Sequence, residues 1–121
     1  MAALNFSHMT IDGLYYGVCD FMVTLLAQIE QLNAFFEDLR KRHELPVAFA
    51  QDVQLLEVFR GKVVARVDPL RQSFADWVSL TAEQQQHCDN EMRQALQNLY
   101  AELTEIQLGL GPMQSRLERM T

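Results

Sequence analysis

The side chains best suited to chemistry lie in one short polar run, residues 87–91, with the sequence His-Cys-Asp-Asn-Glu. His87 and Glu91 are four residues apart, so on a helix they would share a face and could bind one metal ion. A zinc site takes three or four protein ligands, and no third ligand accompanies this pair. We therefore interpret the run as the solvent-exposed first turn of a helix, and we expect no metal and no cofactor.

Nucleophilic catalysis is not indicated by the cysteines or the serines. Cys19 and Cys88 are far apart in the sequence and form no Cys-x-x-Cys pair. His87 is adjacent to Cys88, but neighbouring residues on a helix point in different directions. No Gly-x-Ser-x-Gly turn is present, and the glycines at 109–112 lack the lysine and the preceding strand of a phosphate-binding loop. We predict no catalytic residues and a protein that is not an enzyme.

Composition argues against several classes of partner. The chain has 121 residues, of which 49% are hydrophobic, and a formal net charge of -6, as expected for one acidic globular domain. An acidic protein gains nothing from neutralising phosphate groups, so nucleic acid is not an expected partner. No uninterrupted apolar segment reaches the length of about 18 residues that a transmembrane helix needs, so we expect no membrane insertion.

The start of the chain has the features of neither a signal peptide nor a folded element. Residues 1–9 contain no Lys or Arg, which a signal peptide carries near its start. The string Ser7-His8-Met9 is one that a common cloning site leaves behind. We predict a disordered or vector-derived leader at 1–9 and a single helical bundle domain at 10–121. The two cysteines, read as small buried hydrophobic residues, favour a reducing compartment, and we expect a cytoplasmic location.

Hydrophobic residues recur in alternating steps of three and four, which places them on one face of a helix. The first stripe predicts a helix at about 11–43, and the basic run that begins at Arg40 can interact with the negative end of its dipole. Pro46 marks the start of a second helix at about 46–79. The first stripe consists of Tyr15, Val18, Met22, Leu25, Ile29, Leu32, Phe36 and Leu39.

Capping and helix-breaking residues predict the remaining elements. Pro69 removes one hydrogen bond, but the apolar spacing continues across it, so we expect one bent, continuous second helix. Thr81 and the glutamine three residues later form a capping box, which predicts a third helix at about 81–108. Gly-Leu-Gly-Pro at 109–112 should interrupt that helix and leave a short C-terminal helical segment at 112–120. The predicted fold class is all-α, an up-down-up bundle of three long antiparallel helices.

Hydrophobic residues in excess of the core stripes are the strongest functional signal. One interpretation is a broad core with scattered surface residues, which is common in monomers. The other is an interface with a partner helix or with a second copy, and the enrichment in aromatic residues and methionine favours it slightly. The predicted interface candidates are Leu14, Tyr16, Phe21, Val23, Phe35, Leu55, Phe59, Met113, Leu117 and Met120.

Three functional hypotheses follow from this signal. The first is a small acidic adaptor or chaperone that binds a partner helix, with a methionine-rich segment at 112–120 as a detachable cover over the binding groove. Small acidic helical chaperones of bacterial secretion and flagellar systems are similar in size and shape, an analogy of architecture alone. The second is a homodimeric structural subunit of a larger assembly. The third is an acidic inhibitor or immunity protein that blocks a basic active site.

Overall fold

Three long α-helices form the part of the chain that the computed structural model describes, residues 4–120, with the side chain of Met120 left out. They are α1 (Ile11–Lys41), α2 (Ala50–Ser79) and α3 (Ala82–Met120), with a 3-10 turn at Val47–Phe49 before α2. No strand occurs among these residues. The predicted all-α bundle of three long helices is therefore confirmed.

Helix α1 begins and ends at residues that satisfy its free backbone groups. The hydroxyl of Thr10 accepts a hydrogen bond from the first turn at 3.1 Å, which makes it the N-cap. The helix ends at Lys41, two residues before the predicted end, because His43 adopts a left-handed backbone with φ of 56°. In the turn that results, the N–H of Glu44 donates to the carbonyl of Leu39 at 2.9 Å.

Helix α2 begins later than predicted but is otherwise continuous. Pro46 precedes the 3-10 turn instead of opening the α-helix, so the α-helical part starts at Ala50. Pro69 lies inside α2, and the helix continues to Ser79, as the apolar spacing predicts. Burial of Leu70 directly after the proline holds this stretch against the bundle despite the lost hydrogen bond.

Helix α3 contains the largest departure from the predicted boundaries. Its capping box is formed as expected, with the N–H of Gln84 donating to the Thr81 hydroxyl at 3.2 Å and the N–H of Thr81 donating to the Gln84 side chain at 2.9 Å. The expected interruption at 109–112 is absent, and α3 runs unbroken from Ala82 to Met120. The predicted third helix and C-terminal segment are one helix.

Packing explains why glycine and proline do not break α3. A Cβ atom on Gly109 would lie only 2.6 Å from the ring of Phe59, so the glycine allows α2 to approach α3 closely. Pro112 removes one intrahelical hydrogen bond, but Leu110, Met113 and Leu117 on either side of it are buried. Burial of these side chains outweighs the local loss of helix propensity.

The core lies along α1, which packs against both of the other helices, whereas α2 and α3 approach each other least. This arrangement follows from the long uninterrupted stripe of α1, which buries a residue at nearly every turn. The fully buried side chains of largest volume are Phe21, Phe36, Leu14, Leu25, Ile29, Leu56, Leu96, Leu103, Met113, Val18 and Val63.

Residues 4–9 form an N-terminal strap that is part of the bundle. The side-chain oxygen of Asn5 accepts hydrogen bonds from two N–H groups of the strap and closes a turn. Arg93 of α3 donates to the carbonyls of Phe6 and Met9 and is itself held by Asp89 at 2.6 Å. The described part of the predicted leader therefore contacts α3, and the prediction of a disordered or vector-derived leader at 1–9 stays a prediction.

The N-terminal strap also makes apolar contacts with α1 and α3. Leu4 lies over Gly17 of α1, where a Cβ atom would come within 2.5 Å of its side chain. The ring of Phe6 lies 5.4 Å from the ring of Tyr100 on α3. The strap thus covers the junction of α1 and α3, two helices that the sequence separates by 40 residues or more. Its vector origin stays a prediction.

Candidate functional site

Four of the predicted interface residues are core residues in the structure. Leu14, Phe21, Met113 and Leu117 are exposed by 0%, 1%, 1% and 4%, respectively. They face the neighbouring helices because α1 packs on two partners within the chain and therefore needs a wide apolar stripe. Their prediction as interface residues is corrected, and the interpretation as a broad core applies to them.

The other predicted candidates do not form one patch. Tyr16 is 60% exposed and contacts the ring of Phe74 on α2, whereas Phe35 lines a cleft between α1 and α3 nearly 20 residues further along α1. Val23 and Leu55 are also exposed, and Phe59 is half-buried against Gly109. The side chain of Met120 is not among those that the structure describes, so its role as an interface residue stays a prediction.

The C-terminal end of α3 is fastened to the start of α2. Asp52 is 8% exposed, and its two carboxylate oxygens accept hydrogen bonds from Arg116 at 2.6 and 3.1 Å. A bidentate pair of this kind fixes both the distance and the orientation of the two helices. Together with buried Met113 and Leu117, the pair makes 112–119 an integral part of the bundle and not a separate cover.

Among the described residues, a concave surface runs between α2 and α3. This α2–α3 groove is lined by residues 66–80 on one side and 83–102 on the other. Two adjoining cavities of about 360 and about 260 Å³ share Ser73, Met92 and Ala95, and a third continues past Leu80 and Cys88. Its apolar floor includes Leu70, Trp77, Met92, Ala95, Leu96 and Leu99.

Small side chains keep the α2–α3 groove open. Ser73 and Ala95 stand at its middle, one from each helix, and neither can fill the space between them. Ala95 is exposed in the structure, and its neighbour Leu96 is buried. Neither small residue stands out in the sequence, because a surplus of hydrophobic residues is visible only where the side chains are large.

The rim of the α2–α3 groove is acidic. Its lining includes four carboxylates and one guanidinium, that of Arg66, which donates to Glu102 at 3.2 and 3.3 Å. Asp76, Glu83 and Glu91 make no ion pair with any residue that the structure describes. The groove therefore combines an apolar floor with unneutralised negative charge on its edges.

The two thiols occupy different environments. Cys88 is half-buried in the wall of the α2–α3 groove. Cys19 lies on α1, where burial raises the pKa of its thiol above the ordinary value of 9.0. Burial and a hydrogen bond with Cys19 also raise the pKa of the Tyr15 hydroxyl. A raised pKa keeps the Cys19 side chain in its unreactive thiol form at neutral pH.

Within residues 4–120, no group of three or more His, Cys, Asp or Glu side chains is placed to hold a metal ion. None of the described helices combines the length and the hydropathy that crossing a bilayer requires. Comparisons of the chain with protein-family models, with curated proteins and with solved structures give no match. The α2–α3 groove is therefore the feature of the described residues that is best suited to binding a partner.

Proposed function

We propose that this protein is a non-enzymatic helical adaptor or chaperone that binds an amphipathic helix of another protein in the α2–α3 groove. The observation that carries the proposal is the groove itself, an apolar floor between two helices whose middle positions, Ser73 and Ala95, are too small to fill it. A helix inserted there would complete a four-helix bundle, in which each helix buries its apolar face between two neighbours.

The length of the α2–α3 groove suits a short helix. Residues 66–80 span roughly 21 Å at 1.5 Å per residue, which corresponds to about four turns of a bound helix. A free peptide of that length is only marginally helical in water, so binding would supply most of its order. Leucine or phenylalanine anchors at intervals of three and four residues would contact the half-buried side chains of Met92 and Leu99.

A second copy of the chain fits the groove less well than a foreign helix. Association of two copies would bring further negative charge to a rim that already carries the uncompensated carboxylates of Asp76, Glu83 and Glu91. The chain as a whole has a net charge of -6, so electrostatic complementarity favours a neutral or basic partner. We expect the free protein to be a monomer in sedimentation equilibrium.

A pair of matched variants tests the proposal. Ala95→Leu places a branched side chain at the point that the adjoining cavities of about 360 and about 260 Å³ share, and Ala101→Leu makes the same change at an exposed position of α3 outside the groove. Binding of a designed amphipathic peptide, measured by fluorescence anisotropy, should weaken at least about tenfold for Ala95→Leu and remain unchanged for Ala101→Leu. Thermal unfolding confirms that both variants are folded.

Thiol alkylation gives a second, independent measurement. A bound peptide should protect Cys88 in the groove wall from iodoacetamide and leave the rate at Cys19 on α1 unchanged. Peptide binding that is equal in both leucine variants, or that protects neither thiol, would place the binding site elsewhere. A stable dimer without peptide affinity would instead favour the structural-subunit hypothesis.

A further inference from the structure

Negative charge is concentrated at one end of the α2–α3 groove, and this distribution indicates where a partner should carry positive charge. The end nearest the connection between α2 and α3 carries Asp76, Glu83 and Glu91. The opposite end carries Arg66 and Glu102, which neutralise each other. We propose that the partner helix has a basic end, a cluster of Lys or Arg, that lies beside the α2–α3 connection. This inference rests on the proposed function, because it concerns the occupant of the same groove.

The three carboxylates of the acidic end are available to a partner. All three side chains belong to exposed residues, so pairing them with lysine requires little further desolvation. Asp76 accepts one hydrogen bond, at 2.9 Å, from the neutral side chain of Gln72, which leaves its charge uncompensated. Lysines of a bound helix would meet these carboxylates at the rim while its apolar side chains cover the floor.

The opposite end offers a partner no net charge. Both nitrogens of Arg66 that take part donate to the same oxygen of Glu102, at 3.2 and 3.3 Å, and Asn98 is the neutral neighbour in the lining. The helix dipoles do not reverse this difference. The C-terminal end of α2 and the N-terminal end of α3 meet at the connection, and their partial charges have opposite sign and offset each other.

The probes for the test are two designed amphipathic peptides of about 15 residues, the length that fits the groove. One has three lysines in its last turn, and the other has glutamines at the same places. The lysine peptide should bind about tenfold more tightly at low salt, with about twofold from each ion pair, and the advantage should nearly disappear in 0.5 M salt. A fluorophore at its lysine end should be quenched more strongly by a label on a cysteine introduced at Ala82, an exposed position beside the α2–α3 connection and outside the lining, than a fluorophore at its other end.

Charge-neutralising variants locate the effect. Changing Asp76→Asn, Glu83→Gln and Glu91→Gln together should remove the advantage of the lysine peptide. A control variant has the same change in net charge but alters exposed carboxylates outside the groove lining, by Asp20→Asn, Asp68→Asn and Glu105→Gln. The lysine peptide should keep its advantage over the glutamine peptide in this control.

The outcomes separate this inference from the proposed function. Equal binding of both peptides, with loss of binding in Ala95→Leu, would overturn the basic end and leave the helix-binding groove in place. Stronger quenching from the end without lysines would overturn the assigned placement. Failure of both peptides to bind the unmodified protein would overturn the proposed function, and the inference with it.

Discussion

The contact between α2 and α3 has two halves that differ in their packing. In the closed half, Phe59 of α2 lies on Gly109 of α3, and Asp52 binds Arg116 through both of its oxygens. In the open half, small side chains stand on both helices and an apolar groove remains. A small residue opposite a large one closes a helix pair, whereas two small residues leave room for a third element. The bundle is therefore fully packed in the closed half and leaves space for another element in the open half.

The largest expected effect comes from breaking the ion pair between Asp52 and Arg116 in the closed half of the contact between α2 and α3. Arg116→Met removes the cation from Asp52, which is 8% exposed and would be left without its partner. We expect the free energy of unfolding to fall by about 2 kcal/mol, less than for a fully buried pair because Arg116 is partly solvated. Urea denaturation measures the change, and Arg119→Met, at an exposed site in the same turn, serves as the control. Equal stability of the two variants would show that the ion pair does not fasten the helices.

Two glycines, Gly109 in α3 and Gly61 in α2, separate the effect of close packing from that of helix propensity. Gly109→Ala should destabilise the protein by about 1 kcal/mol, because strain against the Phe59 ring exceeds the gain in helix propensity. Gly61→Ala, in the interior of α2, meets no atom outside its own stretch of helix within 4 Å and should stabilise it by up to about 1 kcal/mol. Thermal unfolding of both variants tests the sign of each change. Adding Phe59→Leu should relieve the strain of Gly109→Ala. If the two alanine variants change the free energy of unfolding in the same direction, close packing at Gly109 is contradicted.

Filling the open half should raise stability slightly. Ser73→Leu adds an apolar side chain to a cavity of about 360 Å³, which holds it without strain. We expect a gain of about 0.5–1 kcal/mol from the partial burial of that side chain. Ser115→Leu, at an exposed position of α3 outside the groove, reports the contribution of helix propensity alone. A loss of stability in Ser73→Leu would mean that the two halves are equally well packed.

The smallest expected effects concern the reactivity of the two thiols and the dependence of stability on pH. Burial raises the pKa of the Cys19 thiol, so Cys19 should react with iodoacetamide more slowly than Cys88 of the open half at pH 8. Because the pKa is higher in the folded state than in the unfolded chain, the stability due to this group is complete below pH 9.0. It is lost as the pH rises through the raised value. Cys19→Ala should flatten that decline in urea denaturation curves, and equal alkylation rates would contradict the assignment.

The sequence predicts the fold because the fold depends on local periodicity. Stripes with steps of three and four mark each helix, and Thr81 with its glutamine three residues later marks the start of α3. The break expected at 109–112 was wrong for a physical reason. Gly109 acts through Phe59, which is 50 residues away in the sequence, and no local rule reports that contact.

The candidate site was harder to predict than the fold. Leu14 and Phe21 exceed a narrow heptad stripe, and only the packing of α1 against two helices shows that both are core residues. The groove depends on which small residues of α2 and α3 face each other, and Ser73 and Ala95 carry no signal of their own. A position that is small in two neighbouring helices becomes informative only when their pairing is known.

The N-terminal strap has a consequence for the order in which the protein folds during synthesis. Phe6 leaves the ribosome long before Arg93, whose guanidinium holds its carbonyl across 87 residues of sequence. At a typical translation rate, the strap would wait roughly 5 to 15 seconds for its seat on α3. Through that interval Phe6 and the part of the apolar face of α1 that packs against α3 stay uncovered, because their partner helix is still being made.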